Sequence, residues 1–461
     1  MNKILSLSLA TTIAITGLNA AEDLSGMFTE GKTSGQIRMF YVDREYQGTK
    51  GYDKHRNSLA LGGHLKFETA AWNTISAAAA FYTTNGMHGL DYGSAADGEM
   101  DPSLLGTGGE SYSVLGEAYV NVNLSELGTK TNAKLGYQRY DVPMMGSDDA
   151  RMLPNTFEAY KLTNADLGNV KFQVAHVHRM AYGTFSNIYG GGILGATSGY
   201  PAAGNAGTGK YHNLGQATVG KDTSGVTNAQ LKFKSEHFSA TVSNDYAWDL
   251  YNTLYADAGA KWTCLLSDSV HPFFNAQVIK QNSVGGAYMQ NVALNGANGN
   301  GEIDSLYWAA KLGFKAAGFM AYGAYSQTGT NTAADVTNGN AYANAIVSQF
   351  GGMPAYTQGM VTRHQFMAGT NTMKFVAAYN FKELGTNLSA AAYYTSFDMD
   401  ANSGYGIERT ATEPGFDIKY YPATVEKLQL RFRGNFPRKF AESAAGDLGW
   451  NEYRLIANYN F

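Results

Sequence analysis

The sequence predicts an all-β fold, an 18-stranded antiparallel transmembrane β-barrel with short periplasmic turns and long extracellular loops. Three observations carry this. Apolar and polar residues alternate in segment after segment, the period of a strand with one dry face and one wet face. Connections between the segments alternate between short turns and long Gly/Asn/Ser-rich loops, the asymmetry of barrels that cross an outer membrane. The chain also ends on a strand whose aromatics run to the last residue: Tyr453, Leu455, Ala457, Tyr459 and Phe461 share one parity. A closing strand that ends in an interfacial aromatic girdle has this form.

The first segment, 34–46, carries Arg38 and Arg44 on one face, although Phe40 and Val42 share their parity. In 57–69, Leu59, Leu61, Leu65 and Phe67 face one way and His64, Lys66 and Glu68 the other. A short turn at Ala71-Trp72-Asn73 returns the chain over 74–84, and a long loop follows to residue 111. In 112–124 the alternation sets Val114, Ala118, Val120, Val122 and Leu124 toward lipid, with Ser113, Glu117, Asn121 and Asn123 inward. The turn 125–129 leads to 132–142, the loop 143–155 to 156–163, and then comes 170–182 with Val170, Phe172 and Val174 outward. The longest glycine-rich loop spans 183–225. Beyond it, segments at 230–235, 238–250, 254–264, 272–281, 306–315, 319–327, 373–381, 388–397, 415–421, 427–436 and 452–461 read the same way. At this strand number a barrel interior is too wide for wall side chains to fill and becomes a water channel.

Composition agrees. The 461 residues are 44% hydrophobic with a slightly negative mean hydropathy, as expected when apolar residues alternate with polar ones. Charged residues, at 16%, fall below the usual ~25%. The net charge of −4 gives no reason to expect nucleic acid as a partner. The single cysteine, Cys264, excludes a disulfide framework and is read as a space-filler in a wall strand. The one long apolar run, 4–17, follows Lys3 and precedes Leu18-Asn19-Ala20 and Asn19-Ala20-Ala21, small-x-small cleavage patterns. Residues 1–21 therefore read as a secretory signal peptide and 22–461 as one barrel domain. No later run of about 18 apolar residues could span a bilayer as a helix, so export would end in the outer membrane of a Gram-negative bacterium.

If the apolar parity meets lipid, the other parity lines the bore. Leu428, Leu430 and Phe432 then leave Gln429, Arg431 and Arg433 inside, and Phe416, Ile418 and Tyr420 leave Asp417 and Lys419 inside. Arg454 lies inside the closing strand and Arg38 inside the first, its neighbour on closure. Arg38, Lys419, Arg431, Arg433 and Arg454 form a basic ladder on one wall. Such a ladder in a channel with low-dielectric walls attracts anions and carboxylates. The plainer alternative is that these cations pair with inward Asp and Glu to stiffen the wall.

Several fragments carry a family resemblance: Arg38-Met39-Phe40-Tyr41 with Arg44, the loop Asp149-Ala150-Arg151-Met152-Leu153-Pro154-Asn155-Thr156-Phe157, Leu428-Gln429-Leu430-Arg431-Phe432-Arg433, and Glu452-Tyr453-Arg454-Leu455-Ile456. Their order along nearly the whole mature chain resembles the OprD-like (Occ) outer-membrane porins. The resemblance implies a pore whose inward-folded loops narrow an eyelet, with Arg151 in the eyelet loop beside Asp148 and Asp149. It also implies a passive channel for small water-soluble solutes, favouring anionic or carboxylate-bearing ones, with no catalysis and no cofactor. Lipid, lipopolysaccharide and the barrel-assembly machinery would be its surroundings, and the pore would be a monomer or a loose trimer.

Other motifs weigh little. Gly204-Asn205-Ala206-Gly207-Thr208-Gly209-Lys210-Tyr211 approaches a phosphate-binding loop but has Tyr where a magnesium-binding Ser or Thr is required. His176 and His178 share a strand face without a third ligand of obvious kind, and 97–101 is an acidic run of calcium-site type. No Gly-x-Ser-x-Gly elbow occurs. The remaining alternatives are an outer-membrane barrel enzyme and a secreted β-rich adhesin or glycan-binding protein. The first does not account for inward charges that recur along whole strands, and the second would need neither an aromatic C-terminal strand nor alternating long and short loops.

Overall fold

A computed structural model describes residues 21–47, 55–87, 99–187, 195, 197–198, 209–285, 302–404, 408–443 and 446–461. Residues 1–20 of the expected signal peptide, 97–98 of the acidic run and 204–208 of the glycine-rich stretch lie outside them. The described strands are β1 Lys32–Gln47, β2 His55–Glu68, β3 Ile75–Gly86, β4 Tyr112–Asn123, β5 Thr131–Gln138, β6 Thr156–Asn164, β7 Val170–Ala181, β8 Tyr211–Asn213, β9 Val226–Lys234, β10 Phe238–Ala247, β11 Tyr251–Lys261, β12 Val270–Ser283, β13 Asp304–Ala316, β14 Phe319–Thr328, β15 Thr370–Asn380, β16 Leu388–Met399, β17 Arg409–Tyr420, β18 Leu428–Asn435, β19 Ala441–Ser443 and β20 Gly446–Asn460.

Apart from the three-residue β8 and β19, these strands form a closed 18-stranded antiparallel barrel. Each strand pairs with its chain neighbour, β9 follows β7 directly, and β20 pairs with both β18 and β1. At the seam Phe461 and Gly35 exchange backbone hydrogen bonds of 3.1 and 3.2 Å. Large apolar side chains stand exposed on one parity, among them Leu65, Phe81, Leu312, Phe375 and Leu455. This is the band that hydrocarbon covers. Strands return through short turns at one end. In two of them, Asn73-Thr74 and Ala317-Gly318, both residues have positive φ (47° and 73°, 42° and 82°), the geometry that matches strand twist in a two-residue hairpin. At the other end most connections are long, the shortest being 248–250 between β10 and β11 and 48–54 between β1 and β2.

All 18 wall strands were legible as segments, and the differences from the pattern have local causes. In β4 the expected facing reverses above Gly116: Leu115 is exposed and Val114 packs inside. A bulge shifts the register there, from Ala80↔Glu117 to Phe81↔Leu115. One extra residue in a period-two strand flips every later side chain. A second bulge in β7 falls at His178, between the Glu158↔Arg179 and Ala159↔Val177 pairings, and reverses the facing beyond it, so that Met180 is buried inside. The strand read as 132–142 stops at Gln138, whose amide Nε2 donates to the carbonyl of Ala159 at 2.8 Å as the chain turns inward. Cys264 sits in a turn, since β11 ends at Lys261.

The bore is not an open water channel across its width, because loops fold into it. Phe40 and Val42, whose inward parity looked anomalous, are buried against Leu104, Leu105, Met152 and Leu153. The 139–155 and 329–369 loops join inside the barrel through a Met145–Gly351 bridge and a 2.9 Å bond from Gly146 N–H to the carbonyl of Phe350. Tyr140, Met145, Val347 and Phe350 bury there with wall residues of β6–β11. Their apolar faces stabilise the plug at roughly 25 cal/mol per Å² removed from water.

Candidate functional site

Strand register builds one charged wall. Across β17, β18, β20 and β1, Lys419 is opposite Arg431, Asp417 opposite Arg433, Arg433 opposite Arg454, and Arg38 opposite Asn458. The Arg431 Nε donates to Asp417 at 2.7 Å, while the Arg433 Nε lies 3.8 Å from the same carboxylate. One carboxylate thus sits among three cations that reach the bore. Arg38 donates through Nε to Asn458 at 2.8 Å, and Asn458 in turn donates to Gln429 at 3.1 Å.

The other two cationic candidates, Arg454 and Arg151, point away from water. Their side chains are 1% and 0% exposed, and both converge on Glu452, itself 0% exposed. Arg454 Nε is 2.5 Å from Glu452 Oε1 and Arg151 Nη2 is 2.8 Å from the same oxygen. Arg44 takes Oε2 at 2.7 Å and approaches Asp101 at 3.3 Å. Arg454 also donates to Asn435 and Arg151 to Ser103. The final strand, the first strand and two inward loops therefore meet at one carboxylate. Asp101, from the acidic run, caps the Pro102–Leu104 turn and faces Arg44.

The 139–155 loop is fastened by successive charges. Asp148, held at φ 36°, accepts from Arg363 of the 329–369 loop at 3.3 Å. Asp149 pairs with Arg38 at 2.6 Å and Arg139 at 3.6 Å. Burial alone would raise the Asp149 carboxyl, but the Arg38 and Arg139 guanidiniums outweigh it and hold it down at about 2. Burial pulls the Arg151 guanidinium down to about 10, and the neighbouring Arg454 adds to this. Asp149 and Arg139 remain partly exposed, at 20% and 29%, so this pair edges the opening.

Wall side chains that the sequence did not single out hold the 329–369 loop. The Glu413 carboxylate, on the inner face of β17, accepts the backbone N–H groups of Met360 at 2.7 Å and Thr362 at 2.6 Å. Gln281 accepts from Val347 N–H at 2.7 Å and donates to its carbonyl at 2.9 Å, as a paired strand would. Gln277 donates to the Pro354 carbonyl at 2.9 Å. Their inward parity was readable, but their partners lie 50 or more residues away in sequence. No cluster of three or more His, Cys, Asp or Glu suited to a metal occurs among the described residues.

A closed barrel narrowed by inward loops, with cations on one wall, is a channel geometry. A family model described as outer membrane porin, OprD family, matches residues 25–461. The chain belongs to the OprD family of outer membrane porins.

Solved Pseudomonas aeruginosa porins share the fold. OccK9 (OpdG) superposes with a TM-score of 0.71 at 17% identity, over 95% of this chain and 99% of that one. OccK1 (OpdK) gives 0.68 at 15% identity, over 95% and 100%. OpdK determined with vanillate gives 0.69 at 16% identity, over 95% and 100%. No curated protein matches the chain. This porin is therefore an outer-membrane barrel of a Gram-negative bacterium, in a family and fold of channels for small solutes. Its short-turn end is periplasmic.

Proposed function

We propose that this porin passes small water-soluble solutes by passive diffusion and favours anions, carboxylates in particular. The observation that supports this reading is the charge imbalance on the wall of β17, β18, β20 and β1. Arg431 and Arg433 share one carboxylate, Asp417, and Lys419 stands opposite Arg431 with no ion pair among the described residues, so a passing anion meets net positive charge. In water, unit charges about 4 Å apart attract by about 1 kcal/mol, and several-fold more where solvent is excluded. That range suits a channel, because a solute must also leave. Arg38 and Asp149 would act at the opening, whereas Arg151 and Arg454 would hold the wall and loop in place. Lipid and lipopolysaccharide would surround the barrel, a cleaved 1–21 segment would direct export, and a monomer would conduct.

The test is the double variant Arg431→Ala, Arg433→Ala. In planar bilayers its reversal potential in a salt gradient should move toward cation preference. An unchanged potential rejects the ladder. Carboxylates in the competition panel should include vanillate, the ligand present with the OpdK neighbour.

A further inference from the structure

A second row of cations stands on the far side of the bore. Lys134 of β5 is the direct cross-strand partner of Lys161 of β6, and Lys171 of β7 is the direct partner of Lys232 of β9. Each has the inward parity, since Leu135, Tyr160, Leu162, Phe172, Leu231 and Phe233 beside them are exposed on the lipid side. Like charges placed opposite each other on one sheet face are destabilising, and this wall keeps two such pairs in succession. Among the described residues none of the four ammonium groups lies within ion-pair distance of a carboxylate. Lys134 instead rests 4.0 Å from the ring centre of Tyr119, which also receives the Lys66 ammonium on its hydroxyl at 2.8 Å. Asp141 and Asp257, and the Glu68 and Glu117 that pair with Lys66, act on the row only at longer range.

The row differs from the ladder in place. Going round the ring from β18 to β9 passes the same number of wall strands in either direction, so β9 stands opposite the ladder. The four lysines also lie within a few residues of the periplasmic ends of their strands, β5 beginning at Thr131, β6 ending at Asn164, β7 beginning at Val170 and β9 ending at Lys234. At about 3.3 Å per residue they occupy the periplasmic part of the bore, below the plugging loops.

We propose that Lys134, Lys161, Lys171 and Lys232 form a separate anion-binding station at the periplasmic mouth, suited to small dianions such as dicarboxylates. A monoanion relieves the repulsion of one ammonium; two carboxylates on a short carbon chain can relieve both members of a pair. The inference deepens the anion-selective reading and rests on it, but it uses different residues.

The full-length porin in a planar bilayer provides the test. Ion current is recorded while succinate, or propionate as the monoanion control, is added to each side in turn at constant ionic strength. Succinate should interrupt the current at lower concentration than propionate, and most effectively from the periplasmic side. The variant Lys161→Gln, Lys232→Gln should need about fivefold more succinate for the same interruption, with its salt-gradient reversal potential still anion-preferring. Arg431→Ala, Arg433→Ala should keep the succinate effect while losing anion preference. If the lysine variant blocks like the wild type, the station is overturned and the ladder stands. If block responds to the lysines while the arginine variant keeps its reversal potential, the ladder falls and the station stands. Should the lysine variant fail the boiling-dependent mobility shift of a folded barrel, the wild type decides: added salt must weaken succinate block more than propionate block, and equal weakening overturns the station.

Discussion

At the scale of single residues, Glu452 is the most constrained group in the interior. Three guanidiniums converge on its two oxygens with no exposure to water. Removing one partner of a buried charged cluster leaves the others desolvated and unpaired, which costs about 3–5 kcal/mol. Glu452→Ala should therefore lower the unfolding free energy of the barrel in detergent by that order, read as a lower denaturant midpoint, and a wild-type midpoint would contradict it. His364 gives a pH prediction. Its Nε2 lies 3.0 Å from the carbonyl of Phe440. Burial, reinforced by Arg409, lowers its pKa to about 4 despite that bond. A lowered histidine binds fewer protons when folded than when unfolded. Its packing is fully favourable above the unfolded value near 6.5 and weakens as pH falls from there toward 4. Current noise from loosening of the 329–369 loop should rise across that window and be reduced in His364→Gln. Noise equal in the two proteins would refute the assignment. Asp149, held near 2, stays charged throughout, so the opening's acid does not contribute to this change.

At the scale of elements, the period-two pattern located every wall strand because each has one face in hydrocarbon, and that contrast is written residue by residue. Lys134, Lys161, Lys171 and Lys232 were legible by the same rule, flanked as they are by exposed apolar neighbours. What the pattern could not show is where a strand breaks its own period: Gly116 and His178 each insert one residue, and nothing in the local alternation marks them. Nor could it show which inward charges meet water. Arg431 and Arg454 have the same parity on neighbouring strands, yet one reaches the bore and the other is sealed by loops whose docking depends on long-range contacts. The joint between those loops makes a prediction. Gly351 has φ +80°, and a β-carbon there would fall 2.2 Å from the Gly146 carbonyl oxygen. Gly351→Val should separate the 139–155 and 329–369 loops and raise single-channel conductance while the barrel still forms. Unaltered conductance would mean that the joint does not set the width of the bore.

At the scale of the whole molecule, Phe461 takes part in closing the ring. Phe461 pairs through its backbone with Gly35 and exposes its ring beside Tyr459 on the lipid face. Deleting Phe461 should reduce folded porin in the outer membrane, measured by the fraction showing a mobility shift on boiling; a normal folded fraction would contradict this. The carboxylate shared by Arg44, Arg151 and Arg454 has a further consequence for biogenesis. It stands on the strand that pairs with β1, so the cations supplied by the first strand and by the mid-chain loop meet their common counter-ion only when the two ends of the sheet come together. Narrowing of the passage is thereby tied to joining of the seam, and a barrel whose ring stayed open would carry its loops without the anchor that seats them.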